Sequence, residues 1–186
     1  HVIRQIHPDQ REITKAAEKI KESQQPLIVA GGGVLYSEAE KELSAFAKKH
    51  NIPVTPTVMG IGCMQKDDPY YIGAIGCLGE GSSNSLSKDT DMAIAIGTKL
   101  GDFTTGSWTN FQNPKFQLVS INTARFDVTK HRAIPIISDA KIGLKELSDV
   151  LGDWKAPNSW YQRAVKEREK WDAYVEKNCG PTNQET

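Results

Sequence analysis

The chain has 186 residues and a mass of 20.6 kDa, enough for one domain that buries a core without disulfide or metal support. Its 23 basic and 23 acidic residues balance to a formal net charge of zero, which argues against a nucleic-acid partner and against a charged membrane surface. No apolar run approaches the ~20 residues of a bilayer span, and Cys63, Cys77 and Cys179 are too far apart for a thiolate zinc site or a disulfide framework, so a reducing, cytoplasmic setting is expected.

Strands and helices alternate along the chain. Asp9 and Glu12 have capping-box spacing, and Ile13, Ala16, Ala17 and Ile20 follow on one helical face. Pro26 to Ala30 is a continuous apolar run, buried on both faces as in a parallel sheet, and it ends in Gly31, Gly32 and Gly33. Ser37 and Glu40 suggest a second capping box ahead of the stripe Leu43, Phe46 and Ala47. Pro53 to Thr57 reads as a short strand whose prolines mark its ends. Residues 58–79 are glycine-rich and irregular, and a loop of this length inside a domain is usually functional.

A short helix is expected over Gly81 to Lys88, followed by buried strands at Met92–Ile96, Phe116–Ile121 and Ile134–Ile137. Asp139 caps a helix with the stripe Ala140, Leu144, Leu147 and Leu151. After Trp154 a charged segment carries Trp160, Ala164, Trp171 and Val175 at helical spacing, an amphipathic arm that needs a partner surface. The tail from Gly180 is expected to be disordered. The chain opens at His1 and stops at Thr186, and it reads as a piece of a longer protein.

This alternation implies right-handed crossovers and an α/β fold: a Rossmann-like parallel sheet of about five to six strands with helices on both faces. Residues 1–25 form an N-terminal linker and first helix, 26–154 the domain, and 155–186 a helical linker and tail toward an absent domain. Ligands of such sheets sit at the carboxyl ends of strands, here Gly31–Gly33, Gly97 and Thr98, Asn122, and Ser138 with Asp139.

The glycine turn at Gly31–Gly33 either lets backbone approach a phosphate or is a tight strand-to-helix turn that binds nothing. A full G-x-G-x-x-G fingerprint is missing, since position 36 is Tyr36, and this weakens a dehydrogenase reading. Gly73, Gly76 and Gly79 recur at threes before the expected helix, as a cradle or a flexible connection. The most distinctive stretch is Gly97 to Trp108. There Lys99 can neutralise a phosphate and Thr104 and Thr105 can donate to one; alternatively Lys99 and Asp102 are a solvated pair and Trp108 is packing. Asp127, Lys130 and His131 read as surface residues, and no Ser-His-Asp, Cys-His or paired-carboxylate arrangement stands out.

In this order the segments resemble the central domain of thiamine diphosphate-dependent enzymes, the acetohydroxyacid synthase and pyruvate oxidase group. The resemblance runs from about Pro26 to Leu151 and includes the helix before it. It rests on Pro26–Gly33, Ile52–Val54 with Met59 and Gly60, Gly73–Gly76, Asp91 with Ile94 and Gly97, Asp102 with Thr105 and Gly106, and Ser138–Ala140. Within the group, Gly97–Leu100, Asp102–Thr109, Phe111, Ile121 with Asn122, and Phe126 and Asp127 with Lys130 and His131 are similar to the trihydroxycyclohexanedione hydrolases of myo-inositol breakdown.

The resemblance implies a parent enzyme that opens a cyclic 1,2-dione to 5-deoxyglucuronate by hydrolytic carbon–carbon cleavage. Its thiamine diphosphate and Mg²⁺ would be held by flanking pyrimidine- and diphosphate-binding domains, the latter through a Gly-Asp-Gly motif absent from this chain. The parent would be a homodimer or homotetramer, and this fragment alone would be inert. In flavin-containing relatives the central domain binds FAD, and in others ADP. Carried over by motif, those contacts fall on Gly31, Gly32, Gly33, Thr57, Met59, Gly76, Gly79, Gly97, Lys99, Asp102, Asn122, Asp139 and Ala140. Lys99 stands where flavin enzymes usually have Arg, and Ser120 and Asn122 replace their acidic residues, so an empty or vestigial crevice is expected. The alternative is a nucleotide-binding central domain of an acetolactate synthase-like enzyme, or a free-standing module of that kind.

Overall fold

Five short apolar segments pair side by side, and all of them run parallel, because each is separated from the next by a crossover rather than a hairpin. The computed structural model describes residues 5–179. The strands are β1 (Pro26–Ala30), β2 (Val54–Pro56), β3 (Met92–Ile96), β4 (Gln117–Asn122) and β5 (Ile134–Ile137), in the order β2-β1-β3-β4-β5. Five parallel strands with helices around them agree with the expected α/β class. The chain reverses direction of travel across the sheet between β1 and β3, which makes the carboxyl ends of those two strands the topological switch point.

The helices are α1 (Gln10–Glu22), α2 (Gly32–Tyr36), α3 (Glu40–His50), α4 (Gly81–Asp89), α5 (Asp102–Thr105), α6 (Arg125–Val128), α7 (Ala140–Leu151) and α8 (Asn158–Cys179). Successive strand residues point to opposite faces, so the sheet builds two cores. Ile28, Ile94, Val119, Ile121 and Ile136 pack with the stripes of α1, α3 and α7. Leu27, Val29, Ala93, Ala95 and Leu118 face the other way, onto Leu86 of α4 and Trp160 and Ala164 of α8. The uninterrupted apolar runs of β1 and β3 are buried at every position, as two-sided coverage requires.

Two local expectations change. Asp9 does cap α1, accepting from the Arg11 amide at 2.8 Å, but Glu12 does not close the box. Its carboxylate instead accepts from the Ile137 amide at 2.9 Å and ties α1 to the end of β5. Ser37 is not an N-cap: Gly32–Tyr36 forms a helical turn of its own that Ser37 closes, and α3 begins after Ala39 with no side-chain cap. The arm after Pro157 finds its partner surface within the same chain. The first half of α8 lies on α4, and the Trp160 indole donates to the Pro26 carbonyl at 2.8 Å. The tail from Gly180 lies outside the described residues.

Among the described residues no helix is long and apolar enough to cross a membrane.

Candidate functional site

Beyond their last residues the strands keep exchanging hydrogen bonds, and these fix the loops at the carboxyl edge. The Thr57 amide donates to the Ala30 carbonyl at 2.8 Å, Gly31 to Ile96 at 2.8 Å, Gly33 to Gly97 at 3.0 Å, and Gly97 to Ile121 at 2.9 Å. The Asn122 amide group donates to the Thr98 carbonyl at 3.3 Å, and its oxygen accepts from the Ala124 amide at 2.9 Å. A Cβ on Gly33 would stand 2.5 Å from the Gly97 Cα, and Gly97 itself holds φ +60°, so the β1 and β3 loops meet backbone to backbone only because both carry glycine.

Between these loops and the 73–80 segment lies a cleft of about 710 Å³. Gly32, Gly33, Thr57, Met59, Gly97, Lys99, Asn122, Asp139 and Ala140, of the positions singled out from sequence, line it. Gly31, Gly76, Gly79 and Asp102 do not. Gly31 packs against the Gly97 carbonyl, and Gly76 and Gly79 shape the loop behind the wall, where a Cβ would meet Phe103 and Ala74 carbonyls. Asp102 opens α5 at the surface, and its carbonyl accepts the Ser107 amide.

Sequence reasoning did not pick out Tyr36, Val58, Leu78, Phe103 and Ile121 as lining residues, which give the cleft its apolar walls. Leu78 reaches the cleft because the loop carrying it is pinned from both sides. Asn84 exchanges two hydrogen bonds with the Gly76 backbone at 3.0 and 2.9 Å, the Cys77 amide donates to Phe103 at 2.8 Å, and Glu80 accepts from the Ala74 amide at 3.1 Å. The recurrent glycines were the only signal for this loop.

The polar lining consists of hydroxyls, the Asn122 amide, the Lys99 ammonium and the Asp139 carboxylate. Asp139 is buried and accepts from the Lys141 amide at 2.9 Å, capping α7. Among the described residues no histidine or cysteine lines the cleft. Cys63 is buried elsewhere, and burial pushes its thiol up to about 11, so it is no nucleophile. Asp127 and Lys130 form an ion pair at 2.7 Å, and His131 lies against the Trp108 ring. The arrangement can bind and orient a ligand; it holds no paired base and nucleophile.

The sequence matches the family described as thiamine pyrophosphate enzyme, central domain, over residues 13–147. The chain belongs to this family. The matched span runs from α1 to α7 and takes in the whole sheet.

Among curated proteins, this central domain is similar to 3D-(3,5/4)-trihydroxycyclohexane-1,2-dione hydrolase of Clostridium tetani (strain Massachusetts / E88), 36% identical over 172 residues, which is 92% of this chain and 27% of the relative. The protein of the same name from Clostridium perfringens (strain 13 / Type A) is 36% identical over 162 residues, 87% of this chain and 25% of the relative. That of Geobacillus thermodenitrificans (strain NG80-2) is 34% identical over 180 residues, 96% of this chain and 27% of the relative. The chain thus spans about a quarter of the length of the curated relatives it matches.

The cleft's described residues do not make a site for a divalent ion. Among the described residues no three carboxylate, imidazole or thiol groups converge on one point, and the cleft offers a single carboxylate that already caps a helix.

Proposed function

We propose that this chain is the central, non-catalytic domain of a thiamine diphosphate-dependent hydrolase that opens trihydroxycyclohexane-1,2-dione to 5-deoxyglucuronate in myo-inositol breakdown. The observation that carries this is 36% identity to relatives of that name along 92% of the chain. A cleft without a base–nucleophile pair is consistent with a positioning role. Flanking pyrimidine- and diphosphate-binding domains hold the cofactor and Mg²⁺, and the parent assembles as a homodimer or homotetramer. The three free thiols suit a cytoplasmic location.

The alternative, an FAD- or ADP-binding central domain of an acetolactate synthase-like enzyme, draws on the position of the cleft at the switch point. It has weaker support, because the Gly31, Gly33 and Val34 amides at the glycine turn already have protein partners.

The test is product analysis. The full-length protein that contains this chain, given thiamine diphosphate, Mg²⁺ and the cyclic dione, is expected to form 5-deoxyglucuronate, followed by NMR. The chain alone is expected to form none. Acetolactate from pyruvate in place of ring opening, or turnover by the chain alone, would sink the reading.

A further inference from the structure

Most of the features of this cleft that look made for phosphate are engaged by the protein itself. Of the amides from Gly31 to Val34, Gly31 donates to Ile96 at 2.8 Å, Gly33 to Gly97 at 3.0 Å and Val34 to Gly31 at 3.1 Å. The open side of Gly31 faces the β3 loop, where a Cβ would lie 2.4 Å from the Gly97 carbonyl oxygen. The α7 N-terminus is closed by the buried Asp139 carboxylate. Among the described residues, Lys99 and Asp139 are the charged ones in the lining, one of each sign, so these walls carry no net positive charge.

The apolar part of the lining is the opposite case. Met59, Leu78 and Phe103 expose 68%, 75% and 66% of their surface and border the same cleft. Large apolar side chains left open to solvent around one concavity mark a place where something apolar binds.

We propose that the cleft takes a small ligand with a flat apolar body and a single anionic group paired with the Lys99 ammonium, and that it excludes nucleotide diphosphates. A diphosphate brings two or more negative charges into a site with one ammonium, a fixed carboxylate and a glycine turn in which three of the four amides from Gly31 to Val34 already have acceptors. At least one of its charges would be left unpaired against apolar walls. A lone sulfonate or carboxylate is balanced by Lys99, and the ring behind it covers Met59, Leu78 and Phe103. The proposal concerns this domain alone and stands apart from the hydrolase reading.

The probe is 8-anilinonaphthalene-1-sulfonate, which has this shape and charge. Titrated into the folded chain, it is expected to show saturable, one-to-one fluorescence enhancement. Lys99→Ala weakens it roughly three- to fivefold, as for a partly solvated ion pair. Phe103→Ser weakens it by about tenfold through lost apolar cover. Near-ultraviolet circular dichroism verifies that both variants keep the native fold. Millimolar ADP, FAD or inorganic pyrophosphate leaves the signal unchanged, and the Gly31 and Gly33 amides are protected from hydrogen exchange in the ligand-free chain. Displacement of the dye by ADP or FAD, or exchange of those amides at the free-peptide rate, overturns the proposal. So does dye binding that neither variant weakens.

Discussion

His50 shows how a single side chain can be both structural and pH-sensitive. It is fully buried, with Nδ1 donating to the Trp154 carbonyl at 2.8 Å, Nε2 accepting from the Ser148 hydroxyl at 3.0 Å, and the Phe46 ring 4.7 Å away. A carbonyl can only accept, so Nδ1 carries a proton, and burial favours the neutral ring in which Nε2 accepts from Ser148. Burial lowers its pKa below the ordinary 6.5, the Trp154 carbonyl opposes that, and Lys49 and Lys155 reinforce it. Below about pH 6.5 the unfolded chain therefore binds a proton that the folded chain resists. The stabilisation is present above that pH and is lost as pH falls toward the folded value. The urea midpoint is expected to hold steady between about pH 8 and 7 and to decline as the pH falls below about 6.5. In His50→Gln the midpoint is lower throughout and the decline is shallower; an unchanged slope would assign the effect to other groups. Asp9 was legible as a cap because its partner is two residues away, whereas Glu12 was misread because its partner, Ile137, comes from a strand 125 positions on.

At the scale of elements, α8 is anchored at its start. Trp160 is buried against the second core, and its Nε1 donates to the carbonyl of the first residue of β1, which ties the last helix to the first strand. Trp160→Phe keeps most of the apolar contact and removes the donor, so it is expected to cost about 1–3 kcal/mol in chemical denaturation. A loss of only a few tenths would mean that water replaces the indole at Pro26. The helical period of Trp160 and Ala164 was readable from sequence, yet the surface they cover was not, because α4 is short and its weak apolar pattern gives no hint that it shares a core with α8. The α2 turn was missed for a similar reason: Gly32–Tyr36 has poor helix propensity, and it is held by what surrounds it.

For the whole molecule, the decisive contact is the meeting of the β1 and β3 loops at the switch point. Gly97 has φ +60° and its Cβ position is already filled by Gly33, so Gly97→Ala adds backbone strain and overpacking together. The expected loss is roughly 2–4 kcal/mol, or a fall in Tm of roughly 5–15 °C for a domain of this size. A variant that melts within a degree or two of the parent would show that the two loops can part at little cost.

Apolar runs without alternation dictate a two-sided parallel sheet whatever the order of its strands, and the helical stripes of α1, α3 and α7 follow from their 3.6-residue period. Those features depend on neighbours in sequence, so the fold class and most element positions were determined by the sequence alone. Motif order likewise pointed to the thiamine pyrophosphate enzyme family that the match over residues 13–147 shows. Only the tertiary structure decided what the glycines at the strand ends face. A glycine's open side can admit a ligand or another stretch of backbone, and nothing local distinguishes the two. Here Gly31 and Gly33 face Gly97, and the exposed apolar walls of the cleft come from Met59, Leu78 and Phe103, residues brought together from three separate segments.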